Sequence, residues 1–307
     1  RTFFAKEITV SGTVYTKYCV IHDKHLVVAG AATAPNTIYY SGTNDIDDFT
    51  STGSGNIVLD DKVVGIRSFR NDLIIFCVNS IYKLQNINDS NNIVVVPITK
   101  NVGCMDGASI QEIAGDLVFL SPDGLRTIAG TTRIGDVELG SVSRAIQSII
   151  GNIAVEINDF VISSAVLRSK SQYRLFYSKA DASTSSSKGV IGTITPNGFE
   201  WSETEGIQAH AFTSGLDKDG LEKTFHGDKD GYIYNHDTGN SFNPAGTATD
   251  ISARYETPFL DFGDAGTRKT INYTKISFTP EGQCQPTLRL RYNYGDTTIP
   301  QPPNYTL

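Results

Sequence analysis

The feature that most constrains this chain is a strand–turn–strand unit that recurs five times. "DKHLVVAGAATAPNTIYYSG" (Asp23–Gly42) has an apolar run, a polar loop and "TIYYS". "RNDLIIFCVNSIYKLQ" (Arg70–Gln85) repeats the order with Asn79-Ser80 at the turn. "DLVFLS", "PDG" and "LRTI" follow within Ala114–Gly130. "YRLFYS" and "GVIGTI" flank a Ser-rich loop within Ser171–Ile194, and "KTFHG" and "YIYN" flank "DKDG" within Leu221–Asp237. Aligning Leu26, Leu73, Leu117, Leu175 and Phe225 gives steps of 47, 44, 58 and 50 residues. A period of about 40–50 residues with several strands per unit is the signature of propeller blades. "DLIIFCV" is apolar on both alternating faces, so it reads as an inner strand packed between neighbouring blades.

Further strands surround each hairpin: "VVGIRSF" and "NNIVVVPIT" around the second, "ASIQEIA" before the third, "NGFEWSE" after the fourth, "QAHAFTS" before the fifth. One stretch departs from the pattern. In "SVSRAIQSIIGNI", Ala145, Ile146, Ile149 and Ile150 lie at helical spacing. With Ser143 as N-cap and Gly151 as C-cap, they predict a short helix at about 144–150, outside the blades. Near the end, "TLRLRYNY" (Thr287–Tyr294) alternates as a half-exposed antiparallel strand does. The reading is therefore all-β: a β-propeller of short antiparallel strands over residues 1–250, then a β-sandwich-like segment or ring-closing strands over 251–307. The first residue is Arg, and the chain reads as part of a longer polypeptide.

Composition narrows the function classes. The 28 glycines fit many short strands joined by turns. The formal charge of -7 disfavours tight binding to a phosphate backbone, which needs clustered Lys and Arg. The best small basic patch, "GTRKT" (Gly266–Thr270), is too short to hold nucleic acid alone. Cys19, Cys77, Cys104 and Cys284 are far apart, and none makes a CxxC. They predict neither a disulfide framework nor a zinc site, and Cys77 reads as a small buried hydrophobe. No apolar run approaches the ~18 residues of a membrane-spanning helix, and no signal peptide opens the chain.

Constellations that carry chemistry are sparse. "HDKH" places His22 and His25 three apart beside a strand, where those positions face opposite sides, and both read as surface turn residues. "DKDG" occurs at Asp217–Gly220 and Asp228–Gly231. Neither copy completes a calcium loop, and both suit hairpin turns. "NDIDDF" (Asn44–Phe49) and "LDD" (Leu59–Asp61) could supply the paired carboxylates of a glycan-degrading propeller, but they read better as solvated loops. "GTTRIGDVELG" lacks the GK[ST] of a phosphate-binding loop, and no HExxH or GxSxG appears. A glycan-binding or glycan-degrading propeller is the alternative reading.

Three blocks carry a resemblance. The first has Tyr40-Ser41, the acidic loop Asp45–Phe49, then Ile66, Phe69, Asp72–Phe76 and Ser80–Tyr82. The second has Phe119–Ser121, Asp123-Gly124, Ile134-Gly135 and Ser143-Arg144. The third is "DKDGYIYNHDTGNSF" followed by "ISARYETPFLDFGDAGTRKTI". In this order and spacing, over about residues 38–275, they resemble the tail nozzle proteins of short-tailed bacteriophages, also called tail tubular or packaged-DNA stabilisation proteins. The resemblance implies a structural β-propeller subunit in a homo-oligomeric ring, a hexamer. It implies contact with the adaptor (head-to-tail connector) on one side and with tail fibre or needle proteins on the other. The rings form a tube that retains packaged double-stranded DNA and conducts it at ejection. Assembly in the bacterial host cytoplasm and residence in the virion tail follow, with no membrane span. The resemblance implies no enzyme activity, no cofactor, and no catalytic, cofactor-binding or metal-binding residues, and it assigns no residue to the DNA channel. An acidic lumen would let DNA slide rather than stick.

Overall fold

The structure, a computed structural model, describes residues 8, 10, 16–129, 142–181, 187–239, 241, 248–279 and 284–306. The chain divides into two compact units, Arg1–His236 and Asp237–Leu307. The sequence reading sets its boundary further on, near Asp250.

The described residues of the first unit form five consecutive antiparallel meander sheets, built and packed on one another as the blades of a β-propeller are. Sheet one is β1 (Tyr18–His22), β2 (His25–Ala31), β3 (Ala34–Tyr40) and β4 (Gly55–Val58). Sheet two is β5 (Val63–Phe69), β6 (Asp72–Cys77), β7 (Ile81–Gln85) and β8 (Val94–Thr99). Sheet three is β9 (Gln111–Ile113), β10 (Asp116–Ser121) and β11 (Gly124–Thr127). Sheet four is β12 (Phe160–Leu167), β13 (Gln172–Lys179), β14 (Lys188–Thr195) and β15 (Gly198–Glu205). Sheet five is β16 (Ala211–Leu216), β17 (Glu222–Gly227) and β18 (Ile233–Asn235). The five residues aligned in sequence, Leu26, Leu73, Leu117, Leu175 and Phe225, lie in β2, β6, β10, β13 and β17, the second strand of each sheet.

Neighbouring sheets pack face to face, and the alternation of each strand shares its side chains between two cores. In β6, Leu73, Ile75 and Cys77 join Val27, Ala29 and Ile38 of sheet one. Ile74 and Phe76 on its other face join Leu117 and Phe119 of sheet three. Val118 and Leu120 of β10 turn to Tyr173 and Leu175 of sheet four. The first strands of neighbouring sheets contact one another: β1 packs on β5, β9 on β12 and β12 on β16. "DLIIFC" is thus a second strand, and the innermost strand of its sheet is "VVGIRSF". Apolar residues on both faces mark a strand as covered on both sides, which is true of β5 and β6 alike.

The helix is longer than its sequence signals. A 3-10 turn at Arg144–Ile146 leads into α1 (Gln147–Val155), which carries Gly151 in its interior. A glycine there costs roughly 1 kcal/mol relative to alanine. Burial of Ile150 and Ile153 on either side offsets that cost. Ser143 does not cap, because its Oγ accepts the Leu125 backbone N–H at 2.8 Å and ties the helix entry to β11. Far from lying outside the blades, α1 contributes Ile150 and Ile153 to the core between sheets three and four.

In the second unit, the strand expected at Thr287–Tyr294 is present over Thr287–Arg289 (β19), paired with Asn304–Thr306 (β20). Residues 250–279 are exposed throughout and hold no strand. The Ser-rich loop (residues 182–186) and Ile134-Gly135 lie outside the described residues.

Candidate functional site

Side-chain hydrogen bonds cross each junction between neighbouring sheets of the first unit. His22 Nδ1 lies 2.8 Å from Ser68 Oγ, joining sheets one and two. Arg67 of β5 donates from Nη2 to the carbonyls of Gly107 (3.3 Å) and Ile110 (3.2 Å), beside sheet three. Gln111 Nε2 donates to the Ser164 carbonyl at 2.9 Å, and the Tyr173 hydroxyl to the Ser109 carbonyl at 2.8 Å, joining sheets three and four. Ser163 donates to the Ala209 carbonyl and Ser214 to the Val166 carbonyl, both at 2.6 Å, joining four and five. A buried carbonyl without a partner costs about 1–3 kcal/mol, so these side chains satisfy carbonyls of β12 and of the segments that lead into β9 and β16. Glycine permits the approach at the second junction. A Cβ on Gly107 would sit 2.2 Å from the Val64 carbonyl oxygen, and one on Gly65 would sit 2.4 Å from Ile110 Cδ1.

Four of the carboxylates singled out in sequence, Asp48, Asp61, Asp217 and Asp228, serve turns. Asp61 Oδ2 accepts from the Asn79 N–H (2.7 Å) and the Ser80 hydroxyl (3.0 Å), fixing the turn between β6 and β7. Asp48 Oδ1 accepts from the hydroxyl and N–H of Thr50, both at 2.7 Å, and these bonds hold its pKa below the usual carboxylate value. In the two "DKDG" turns, Asp217 Oδ1 accepts from the N–H groups of Asp219 and Leu221, and Asp228 Oδ1 from those of Asp230 and Tyr232, all at 2.9 Å. Gly220 (φ 77°) and Gly231 (φ 87°) take the left-handed backbone that such turns require. Among the described residues, no three His, Cys, Asp or Glu side chains are grouped to hold a metal ion.

The histidines correct the sequence reading. His22 and His25 are buried rather than superficial. Asp23 and Lys24 form a two-residue turn with positive φ (44° and 70°), so His22 pairs directly with His25 across the hairpin. Directly opposed residues share a face, whereas positions three apart on one strand do not. His25 Nδ1 lies 2.5 Å from the Ser41 carbonyl, and its Nε2 lies 3.0 Å from Asn88 Oδ1. Burial lowers the pKa of His22.

A second histidine pair, invisible in the sequence pattern, sits between sheets four and five. His226 Nδ1 is 2.5 Å from His236 Nε2, and the His226 ring stacks on Tyr234 at 4.7 Å. Phe212 packs against His236 and against Phe176 of β13. Burial pulls the pKa of His226 down to about 4, so the ring is neutral at pH 7 and bonds as a neutral imidazole. The Tyr234 hydroxyl donates to Asp228 Oδ2 at 3.1 Å. The arrangement holds two sheets together.

All four cysteines are free thiols. Burial pushes Cys77 and Cys104 up to about 12, while Cys19 and Cys284 are exposed. Trp201 donates from Nε1 to the Val142 carbonyl at 2.8 Å and stacks on Phe199. It locks β15 to the entry of α1. No helix among the described residues is long and apolar enough to cross a membrane.

No family model matches the chain, and no curated protein matches it. Among solved structures, the chain is similar to the N-terminal domain of Nup159, with 12% identity and a TM-score of 0.42 over 78% of this chain and 65% of that one. PorZ, a bacterial surface component of the type-IX secretion system of Porphyromonas gingivalis, matches with 12% identity and a TM-score of 0.40 over 74% of this chain. BBS1N, solved in complex with ARL6DN, matches with 14% identity and a TM-score of 0.32 over 70% of this chain and 74% of that one. The chain spans only 27% of PorZ.

Proposed function

We propose that this chain is a structural subunit of a phage tail nozzle. In this reading it forms a homo-oligomeric ring, a hexamer, between the adaptor and the distal tail proteins, and the ring retains packaged DNA and conducts it at ejection. The observation that carries the reading is the ordered set of three sequence blocks that resemble the nozzle family, spread over about residues 38–275. The geometry agrees in two respects. The carboxylates Asp48, Asp61, Asp217 and Asp228 are engaged as turn caps, which leaves them as fold-stabilising groups and not as a converging acid–base pair. Serine hydroxyls bridge sheets four and five along their first strands, and in this reading the DNA path is the lumen between copies and not the middle of one propeller.

The reading also assigns no turnover to the chain. Negative-stain electron microscopy of the purified protein, with mass photometry of the same sample, tests it. Rings of one size are expected. A protein that stays a single chain at every concentration, or that cleaves a glycan, overturns the proposal.

A further inference from the structure

The four junctions between neighbouring sheets are not built alike. Val27, Ile38, Ile66 and Ile75 fill the junction of sheets one and two. Ile74, Phe76, Leu117 and Phe119 fill that of two and three, and Leu120, Leu125, Tyr173 and Leu175 that of three and four. On the second strand of a sheet, one face looks back to the preceding sheet and the other looks forward. The forward face of sheet four holds Ser163, Arg174, Ser178 and Thr204 around Phe176 and Gly189. It meets Phe212, Ser214, Thr224 and His226 of sheet five. Phe225, one residue along from His226, looks away from this junction and is 39% exposed. Among the described residues, the buried apolar side chains here are Ala165, Leu167, Phe176 and Ala209, and the one aromatic contact across the two second-unit-free sheets' strands β13 and β16 is Phe176 on Phe212, 4.8 Å between centroids.

Polar groups take the place of a core. Ser163, Arg174, Ser178, Thr224 and His226 are all buried. Ser178 Oγ and Thr204 Oγ1, and His210 Nε2 in the segment that leads into β16, are enclosed without a hydrogen-bond partner, and such groups oppose closure because water would satisfy them. What holds the sheets is a clasp of hydrogen bonds. Ser163 donates to the Ala209 carbonyl and Ser214 to the Val166 carbonyl. The Glu222 carboxylate of β17 accepts from the Arg168 N–H at 3.0 Å, and from the Ser169 N–H at 2.9 Å and hydroxyl at 2.6 Å, in the turn between β12 and β13.

We propose that the junction of sheets four and five is a built-in opening point: sheet five leaves sheet four as a unit, while sheets one to four stay folded on their three apolar cores. Parting any other junction exposes an apolar core to water, whereas parting this one exposes mainly groups that water hydrogen-bonds. Sheet five keeps its own ladder in the open state, β16 on β17 and β17 on β18. Local opening of this kind draws on the least stable contacts of a fold and precedes global unfolding. The inference is independent of the ring reading.

The chain carries its own reference thiols for the test. Cys77 lies in the core of sheets one and two, and Cys104 in that of two and three. Ser178→Cys and, separately, Thr224→Cys place a thiol on each side of the fourth junction. Maleimide labelling of the native protein, followed site by site by peptide mass spectrometry, reads how often each thiol is uncovered. The two introduced thiols are expected to label at similar rates, at least about 100-fold faster than Cys77 and Cys104. Adding Glu222→Ala should raise those rates about tenfold and leave Cys104 unchanged. Hydrogen exchange of the unsubstituted chain checks that the cysteines have not loosened the fold: β17 amides should exchange at least about 100-fold faster than those of β6 and β13. Introduced thiols that label no faster than Cys104, or at unrelated rates, overturn the proposal, as do β17 amides that exchange as slowly as those of β6.

Discussion

Phe76 and Phe225 sit on the forward face of equivalent strands, and only what covers them differs. Phe76 is fully buried, its ring 5.2 Å from that of Phe119 in sheet three. Truncation to alanine removes roughly 1.5–3 kcal/mol of apolar burial. It also removes an aromatic pair worth roughly 0.5–1.5 kcal/mol and leaves a cavity that β6 and β10, tied into their sheets, cannot close. Phe76→Ala should therefore cost about 3–5 kcal/mol, the usual range for a buried phenylalanine. Phe225→Ala should cost only about 1–2 kcal/mol, since 39% of the residue is already exposed. Urea unfolding followed by Trp201 fluorescence and by far-ultraviolet circular dichroism measures both, with agreement between the probes checking for a single transition. Equal losses for the two variants would refute the claim that a following sheet buries Phe76 and leaves Phe225 bare.

Gly107→Ala should destabilise by about 1–3 kcal/mol, because its Cβ meets the Val64 carbonyl rather than a yielding side chain; an unchanged urea midpoint would argue against the close junction of sheets two and three. His226 titrates at about 4 in the fold against an ordinary 6.5, so its contribution is full above pH 6.5 and is lost as pH falls from 6.5 to 4. That loss is about 3 kcal/mol at most, and His226→Phe should flatten the fall in melting temperature over this window; a variant with the same slope as wild type would contradict the burial argument. A maleimide probe should label Cys19 and Cys284 in the native protein and all four cysteines in urea; rapid native labelling of Cys77 or Cys104 would contradict their burial.

The repeat was legible because its spacing reports a whole structural unit. Leu26, Leu73, Leu117 and Leu175 each mark a second strand; Leu73, Leu117 and Leu175 look back toward the preceding sheet, and Leu26 lies on the corresponding face of sheet one. Phe225 marks the right strand but the opposite face, because the fifth sheet is shifted by one residue relative to the alignment. Position within a sheet was not legible: "DLIIFC" and "VVGIRSF" are both covered on two faces. The inner seam was missed for a different reason. Ser163, Ser164 and Ser214 look like ordinary polar residues in strands, and their partners, the carbonyls of Ala209, Ala108 and Val166, are supplied by neighbouring elements far along the chain. The run of small residues in "ISSAV" and "FTSG" was the available signal for close approach. His22 and His25 were misread because the two-residue turn between them was not used; once Asp23 and Lys24 take positive φ, the pair must share a face.

The most direct test of the account is a cryo-electron microscopy map of the assembly that contains this chain. The account predicts a ring in which each copy contributes five radially stacked antiparallel sheets, with the centre of each stack closed by side chains and double-stranded DNA, in filled particles, running through the lumen between copies. A map in which the chain is a lone propeller with a ligand or a substrate at its centre would contradict it.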